Sequence, residues 1–259
     1  MNSEQIVNSE LSKVGRYEFL TEPFHCDFSQ HLMMGHLGNC MLNAADFHSC
    51  DRGYGVARLQ SIKKTWVLSR LAIDIVEMPK AYDKLAIETW VENVMRYFTN
   101  RNFVATAPDN SKAYAYGRSV WAMIDTDTRQ PVDILSVNDG EIANWVEKDK
   151  PSPMDKPGRV KISSDAEYVR TVVPQYSDID INGHVNSIKY IEHVLDLFPK
   201  DWYHEHHIRR FEIAYVAESH FGDELRFYRE QTADDEYCIR ITKNYPNEVE
   251  VVRSLVKFV

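Results

Sequence analysis

The sequence predicts an α+β chain made of two copies of one unit, each an antiparallel sheet wrapped around one long central helix. Three observations carry this. Matching blocks recur in the same order in both halves, each half follows one helical stretch with several strands, and a proline-rich break lies between them. Met34-Gly35-His36-Leu37-Gly38-Asn39 matches Asn182-Gly183-His184-Val185-Asn186-Ser187 at an offset of 148. Arg70-Leu71-Ala72-Ile73 matches Arg210-Phe211-Glu212-Ile213 at an offset of 140, and Asp83-Lys84-Leu85 matches Asp223-Glu224-Leu225 at the same offset. Arg118-Ser119-Val120-Trp121 matches Arg253-Ser254-Leu255-Val256 at an offset of 135. Falling offsets mean shorter loops in the second copy. Two long copies suggest a fused dimer rather than a solenoid, which needs three or more shorter units.

The break runs from Lys148 to Gly158 and holds Pro151, Pro153 and Pro157 among several charges, the composition of a linker. It divides the chain into a first domain at 1–147, a linker at 148–162 and a second domain at 163–259. In the first copy, Leu37, Met41, Ala44, Ala45 and His48 fall at helical spacing. Segments 66–76, 84–93, 101–107 and 115–125 are rich in β-branched and aromatic residues with partial alternation, so they read as strands. In the second copy a strand at 168–173 precedes a helix marked by Val185, Ile188, Glu192 and Leu195. Strands follow at 208–216, 224–231, 237–244 and 248–259.

Composition narrows the function classes. The 259 residues are 44% hydrophobic and 27% charged, as in a soluble globular protein. No apolar run reaches the roughly 18 residues of a membrane helix, so no membrane insertion is expected. Met1 to Gly15 is polar, without the apolar core of a secretion signal. Cys26, Cys40, Cys50 and Cys238 form no CxxC pair and read as free thiols in a reducing, cytoplasmic setting. A net charge of −9 argues against nonspecific nucleic-acid binding. Any acidic partner must therefore find a local basic patch.

The chemistry concentrates in Asp180-Ile-Asn182-Gly-His184. If this run is extended, its acid, amide and imidazole project to one side, and Ile179 and Ile181 anchor the other side in a core. The first copy carries Leu32, Met34 and His36 at the equivalent positions. Polar chemistry in one copy and apolar side chains in its twin suggest divided labour: the second half reacts and the first lines an apolar space. The plainer reading is that Asp180 and Asn182 cap the following helix. Asn186 is better placed for that task. Glu218 ends a predicted strand and matches Met78, again a charge in place of an apolar residue. A Glu at a strand end is more often simply exposed.

These residues carry a resemblance. Tyr176-Ser-Asp-Ile-Asp180-Ile-Asn182-Gly-His184-Val-Asn186-Ser-Ile-Lys-Tyr190-Ile resembles the signature of the acyl-acyl-carrier-protein thioesterases, found in plant plastids with bacterial relatives. Trp66-Val-Leu-Ser-Arg70, Glu88-Thr-Trp90-Val and Arg118-Ser-Val-Trp121-Ala-Met agree in the first half. The resemblance spans roughly residues 15 to 258. It implies a tandem hotdog fold and hydrolysis of a fatty acyl thioester carried on the phosphopantetheine arm of acyl-carrier protein. It implies an apolar acyl tunnel largely in the first half. Met33, Met34, Met41, Trp66, Trp90 and Trp121 are candidate lining, although each taken singly reads more readily as ordinary core. The resemblance assigns catalysis to Asp180, Asn182, His184 and Glu218, with no metal and no cofactor. Plant members have a Cys after the catalytic Glu; here Ser219 follows Glu218. A serine hydroxyl is far less acidic than a thiol, so attack by activated water is favoured over a covalent route. The absence of a plastid transit segment fits a bacterial cytoplasmic relative.

On this reading the N-terminus of the second helix offers N–H groups to a developing oxyanion. Asn182 orients water or holds the carbonyl, Glu218 is the better candidate base, His184 relays protons, and Asp180 orients its neighbours. Spacing leaves open whether Glu218 or Asp180 activates the water. Arg209, Arg210, Lys63, Lys64, Lys161 and Arg170 are candidates for a carrier-binding patch. His204-Glu-His206-His207 lacks the spacing of a metal motif and reads as a surface loop. Arg52-Gly53-Tyr54-Gly55 lacks the ending of a phosphate loop and reads as a turn. Two alternatives remain at this stage: an acyl-CoA thioesterase of the same fold, and a non-catalytic binder of acyl-carrier protein. The chain is expected to be a monomer or a homodimer.

Overall fold

The computed structural model describes residues 11–259. The polar start of the chain, up to residue 10, lies outside the described residues. In chain order the elements of the first half are β1 (Gly15–Leu20), α1 (Met34–Cys50), α2 (Val56–Ser61), β2 (Lys64–Ile75), β3 (Lys84–Val94), β4 (Phe98–Thr106) and β5 (Ala113–Asp125). The second half supplies β6 (Glu167–Val172), α3 (Ser187–Leu195), α4 (Trp202–Glu205), β7 (Ile208–Tyr215), β8 (Leu225–Ala233), β9 (Glu236–Lys243) and β10 (Val249–Phe258).

All ten strands join one antiparallel sheet in the order β1-β3-β4-β5-β2-β7-β10-β9-β8-β6. The first five positions belong to the first half and the last five to the second, in mirrored order. The repeat in sequence is thus a repeat in topology, and the architecture is the expected tandem hotdog. The seam is the β2–β7 ladder, where Arg70 to Asp74 pair with Ala214 to Arg210. Arg210 locks the seam with Nη1 2.6 Å from Asp74 Oδ1 and Nε 2.7 Å from Glu212 Oε1.

The predicted helix stripe is the buried one: Leu37, Met41, Ala44, Ala45 and His48 all face inward from α1. In α3, Ile188, Tyr190, Ile191 and Val194 do the same. The two helices pack on each other beneath the sheet. Gly38 permits the approach, since a Cβ there would meet Ile188 Cδ1 at 3.1 Å. Burial of Phe103, Phe211, Phe227 and Phe258 between helices and sheet anchors the core. Each contributes about 1.5–3 kcal/mol relative to exposure. The second central helix is shorter than expected, with nine residues against seventeen in α1.

A strand ahead of the helix is expected in each copy, but the sequence gives no bounds for β1, and it does not signal the short helices α2 and α4. Gly15–Leu20 alternates charged and aromatic residues over only six positions, too few to signal a strand by pattern alone. The stretch 148–158 carries no helix or strand, but it is fastened to the sheet. Met154 is buried, and its carbonyl accepts from Arg118 Nη1 at 3.2 Å. No described helix is long and apolar enough to cross a membrane.

Candidate active site

The run from Asp180 to His184 is a tight turn, not the extended strand expected. The Asp180 N–H donates to the His184 carbonyl at 2.8 Å, and the Gly183 N–H donates to the Asp180 carbonyl at 3.0 Å. The Asp180 carboxylate closes the turn from inside, accepting the N–H groups of Asn182 at 2.8 Å and His184 at 3.2 Å. Gly183 sits at φ +80°, a left-handed conformation that side chains rarely adopt. Ile179 and Val185 pair across the turn. Chain reversal, rather than strand pleat, therefore gathers the three polar residues. Ile181 does not anchor a core as expected: it rides the tip of the turn and is 83% exposed.

The turn feeds directly into α3. Asn186 is the N-cap, and its Oδ1 accepts the Ile188 N–H at 2.9 Å. The Ser187 N–H at the head of the helix has no protein partner among the described residues. The Asn182 backbone N–H is taken by Asp180, but its side-chain amide has no partner among the described residues.

Glu218 arrives from beyond the end of β7. Its Oε2 lies 3.4 Å from His184 Nε2, and its Oε1 accepts a hydrogen bond from Arg129 Nη2. Lys243 Nζ donates to the Glu218 carbonyl at 2.6 Å, fixing the backbone behind the carboxylate. The His220 ring stands edge-on to His184, centroids 5.0 Å apart. The Ser219 carbonyl accepts the Val185 N–H at 2.8 Å and so ties this segment to the turn. The Ser219 side chain is 0% exposed, and its hydroxyl, beside that of Tyr190, makes no hydrogen bond of good geometry. Burial pushes the Tyr190 phenol up to about 12, so it stays protonated.

Two contiguous spaces meet at this point. A groove of about 920 Å³ is lined by Asp180, Asn182, His184, Glu218 and Arg129. An inner cavity of about 200 Å³ extends into the first half between Leu42, Leu68, Val91, Trp66, Trp121 and Trp145. Thr65, Trp66, Leu68, Asp180, Asn182 and Ser187 border both. The far wall of the inner cavity is polar, with His48, Arg52 and Arg101. Burial, then the charges of Arg101 and Arg52, hold the His48 imidazole down to about 3, so it is neutral. Its Nε2 lies 3.0 Å from the Lys13 carbonyl.

Of the expected tunnel residues, Trp66 and Trp121 line the inner cavity. Met34, Met41 and Trp90 do not; they are buried in the packed interior. Met33 is half-exposed at the N-cap of α1. Met34 and Met41 lie on the face of α1 that packs against other elements, whereas Trp66 and Trp121 project from β2 and β5. Sequence reasoning missed Arg129, Tyr54, Ile142 and Trp145, since nothing local marks residues that come from turns and from the 3-10 stretch Ile134–Trp145 of the first half.

Several candidate patch residues are already engaged. Arg209 Nη1 donates to the Ile75 carbonyl at 2.6 Å, Lys63 pairs with Asp127 at 2.5 Å, and Arg170 lies 3.7 Å from Asp196. Arg210 belongs to the seam. All four cysteines are free thiols. Among the described residues no cluster of three potential metal ligands occurs.

Comparison with known proteins gives a consistent family. Residues 13–138 match the acyl-ACP thioesterase N-terminal domain, and residues 162–252 match its C-terminal domain. An acyl-ACP thioesterase from Bacteroides thetaiotaomicron of known structure is 51% identical, with a TM-score of 0.87 over 95% of this chain and 98% of that one. The 12:0-ACP thioesterase from Umbellularia californica shares the fold, with a TM-score of 0.82 at 20% identity over 96% of this chain and 98% of that one. A chloroplastic dodecanoyl-[acyl-carrier-protein] hydrolase from Cinnamomum camphora is 28% identical over 194 residues, which are 72% of this chain and 50% of that protein. The chain spans about half the length of the curated relatives it matches. With both domain models matched and half its residues shared with a solved member, the chain belongs to the acyl-ACP thioesterase family.

Proposed function

We propose that the chain hydrolyses fatty acyl thioesters of acyl-carrier protein, releasing free fatty acid and the carrier thiol, in the cytoplasm. The observation that carries this is the shared wall. A cavity in the first half, walled by Leu42, Leu68, Val91, Trp66, Trp121 and Trp145 and polar where it meets His48, Arg52 and Arg101, opens onto the Asn182, His184 and Glu218 group of the second. An acyl chain lying in the cavity brings its thioester to that group. The Asn182 side-chain amide and the Ser187 N–H, both without partners among the described residues, are suited to hold the carbonyl oxygen. Water held against the Glu218–His184 pair attacks the carbon, and the pair takes its proton. Collapse of the tetrahedral intermediate expels the thiolate, which the protonated pair re-protonates. Asp180 is proposed as the residue that shapes the turn, because its carboxylate is committed to backbone N–H groups. Ser219 has no part in covalent catalysis on this reading, because its hydroxyl is fully buried and cannot meet a carbonyl.

Thiol release from purified protein with acyl-carrier-protein and acyl-CoA thioesters of graded length tests the reading. Glu218→Ala, Asn182→Ala and His184→Ala should each lower kcat by about 10²-fold or more, while melting within a few degrees of wild type. Ser219→Ala should keep near-normal turnover. Near-wild-type rates in a folded Glu218→Ala protein would remove Glu218 from the chemistry. Total loss in Ser219→Ala would restore the covalent route.

A further inference from the structure

Among the described residues lining the groove Arg129 is the one arginine or lysine, and it comes from the half of the chain that carries none of the proposed catalytic residues. We propose that Arg129 is a positioning residue that holds the Glu218 carboxylate in its working orientation; this rests on the hydrolytic reading above. The two Glu218 oxygens have separate partners. Oε1 accepts from Arg129 Nη2, and Oε2 faces His184 Nε2 at 3.4 Å. A carboxylate at the end of a flexible side chain can rotate freely in a groove. Binding one oxygen to a guanidinium removes that freedom and leaves the other oxygen aimed at the imidazole.

The turn that presents Arg129 is itself built. The Asp125 carboxylate accepts the N–H groups of Asp127 at 3.0 Å and Thr128 at 2.9 Å, and the Thr128 hydroxyl at 3.1 Å. The Arg129 N–H donates to the Asp125 carbonyl at 2.9 Å, and Arg129 itself sits at φ +60°. Lys63 clamps the turn through Asp127, and the Lys63 carbonyl accepts the Thr126 N–H at 2.9 Å. Nothing else among the described contacts explains why Arg129 should be aimed across the groove. On the opposite side, Lys243 binds the Glu218 carbonyl and Asp223. Glu218 is therefore held by its backbone from its own half and by its carboxylate from the other. The site works only when both halves are in register.

The test uses full-length protein and a thiol-release assay. Arg129 is part-exposed, so Arg129→Ala should fold and melt close to wild type. It should lose about 10- to 100-fold in kcat, since small misplacement of a reacting group has that effect. KM should change by less than about threefold, because substrate binding is not removed. Arg129→Lys should recover part of the loss. Free guanidinium at tens of millimolar should partly restore Arg129→Ala, and should do nothing for Arg129→Ala combined with Glu218→Gln. A wild-type kcat in Arg129→Ala overturns the inference, and so does equal rescue in the Glu218→Gln background. A rise in KM alone would make Arg129 a substrate-binding group and overturn it too. Wild-type protein that releases no thiol would instead overturn the hydrolytic reading.

Discussion

At the scale of single residues, side chains that face the groove are separate from side chains that build the turn. The Asn182 side-chain amide faces the groove and His184 faces it beside Glu218, whereas the Asp180 carboxylate is spent on two backbone N–H groups. That difference is testable by charge against shape. Asp180→Asn keeps an oxygen that can accept both N–H groups, so activity should stay within about tenfold of wild type. Asp180→Ala removes the acceptor, frees the turn and should cost about 10²-fold or more. If Asp180→Asn is as damaged as Asp180→Ala in the thiol-release assay, the negative charge itself is needed, and Asp180 shares the chemistry. The run was legible as a polar cluster in the sequence, but its conformation was not. Alternating Ile and polar residues imitate a strand, and only Gly183 in the left-handed region, with Asp180 bonded back to the chain, reveals a turn.

At the scale of elements, α3 is the piece that joins fold to site. Its N-terminus borders both spaces through Ser187, and its C-terminal face is core. Asn186→Ala should remove the cap and cost about 1 kcal/mol in denaturant unfolding. Turnover should fall as well, because the Ser187 N–H loses its fixed direction. A loss of stability with unchanged kcat would take the helix head out of the oxyanion site. The two central helices and most strands could be read from the sequence because their periodicity is local, whereas α2 and α4, at six and four residues, are too short to show one. The cap at Asn186 was equally readable, since capping depends on one residue and its immediate neighbours. Tunnel lining was not. Whether Trp66 or Trp90 meets the cavity depends on strand register, and the β2–β5 ladder shifts by a bulge between Leu68 and Arg70. Arg129 was invisible for a further reason, since it reaches Glu218 across 89 positions of sequence.

At the scale of the whole molecule, the first half keeps an imidazole buried beside two guanidinium groups at the end of the inner cavity. His48 feels the charges of Arg101 and Arg52, Arg52 Nη1 donates to the His48 carbonyl at 2.8 Å, and the Lys13 carbonyl lies on the His48 Nε2. Burial lowers the Arg101 guanidinium to about 10 as well, so the cluster tolerates no added positive charge easily. The sign of the consequence follows from the depressed folded value. In the unfolded chain a histidine takes up a proton near pH 6.5. In the folded chain His48 does so only near about 3. Between those values the unfolded chain holds the extra proton. The stability contributed by neutral His48 is therefore complete above about pH 6.5 and is lost as pH falls toward 3, by up to about 1.4 kcal/mol per pH unit. Unfolding free energy measured from pH 7.5 down to 4.5 should drop steeply in the wild type. His48→Gln, which can still donate to the Lys13 carbonyl, should show a shallower slope over the same range, even if it is less stable at pH 7.5. Parallel slopes would mean that His48 is protonated in the fold and that the inner wall of the cavity carries a third positive charge.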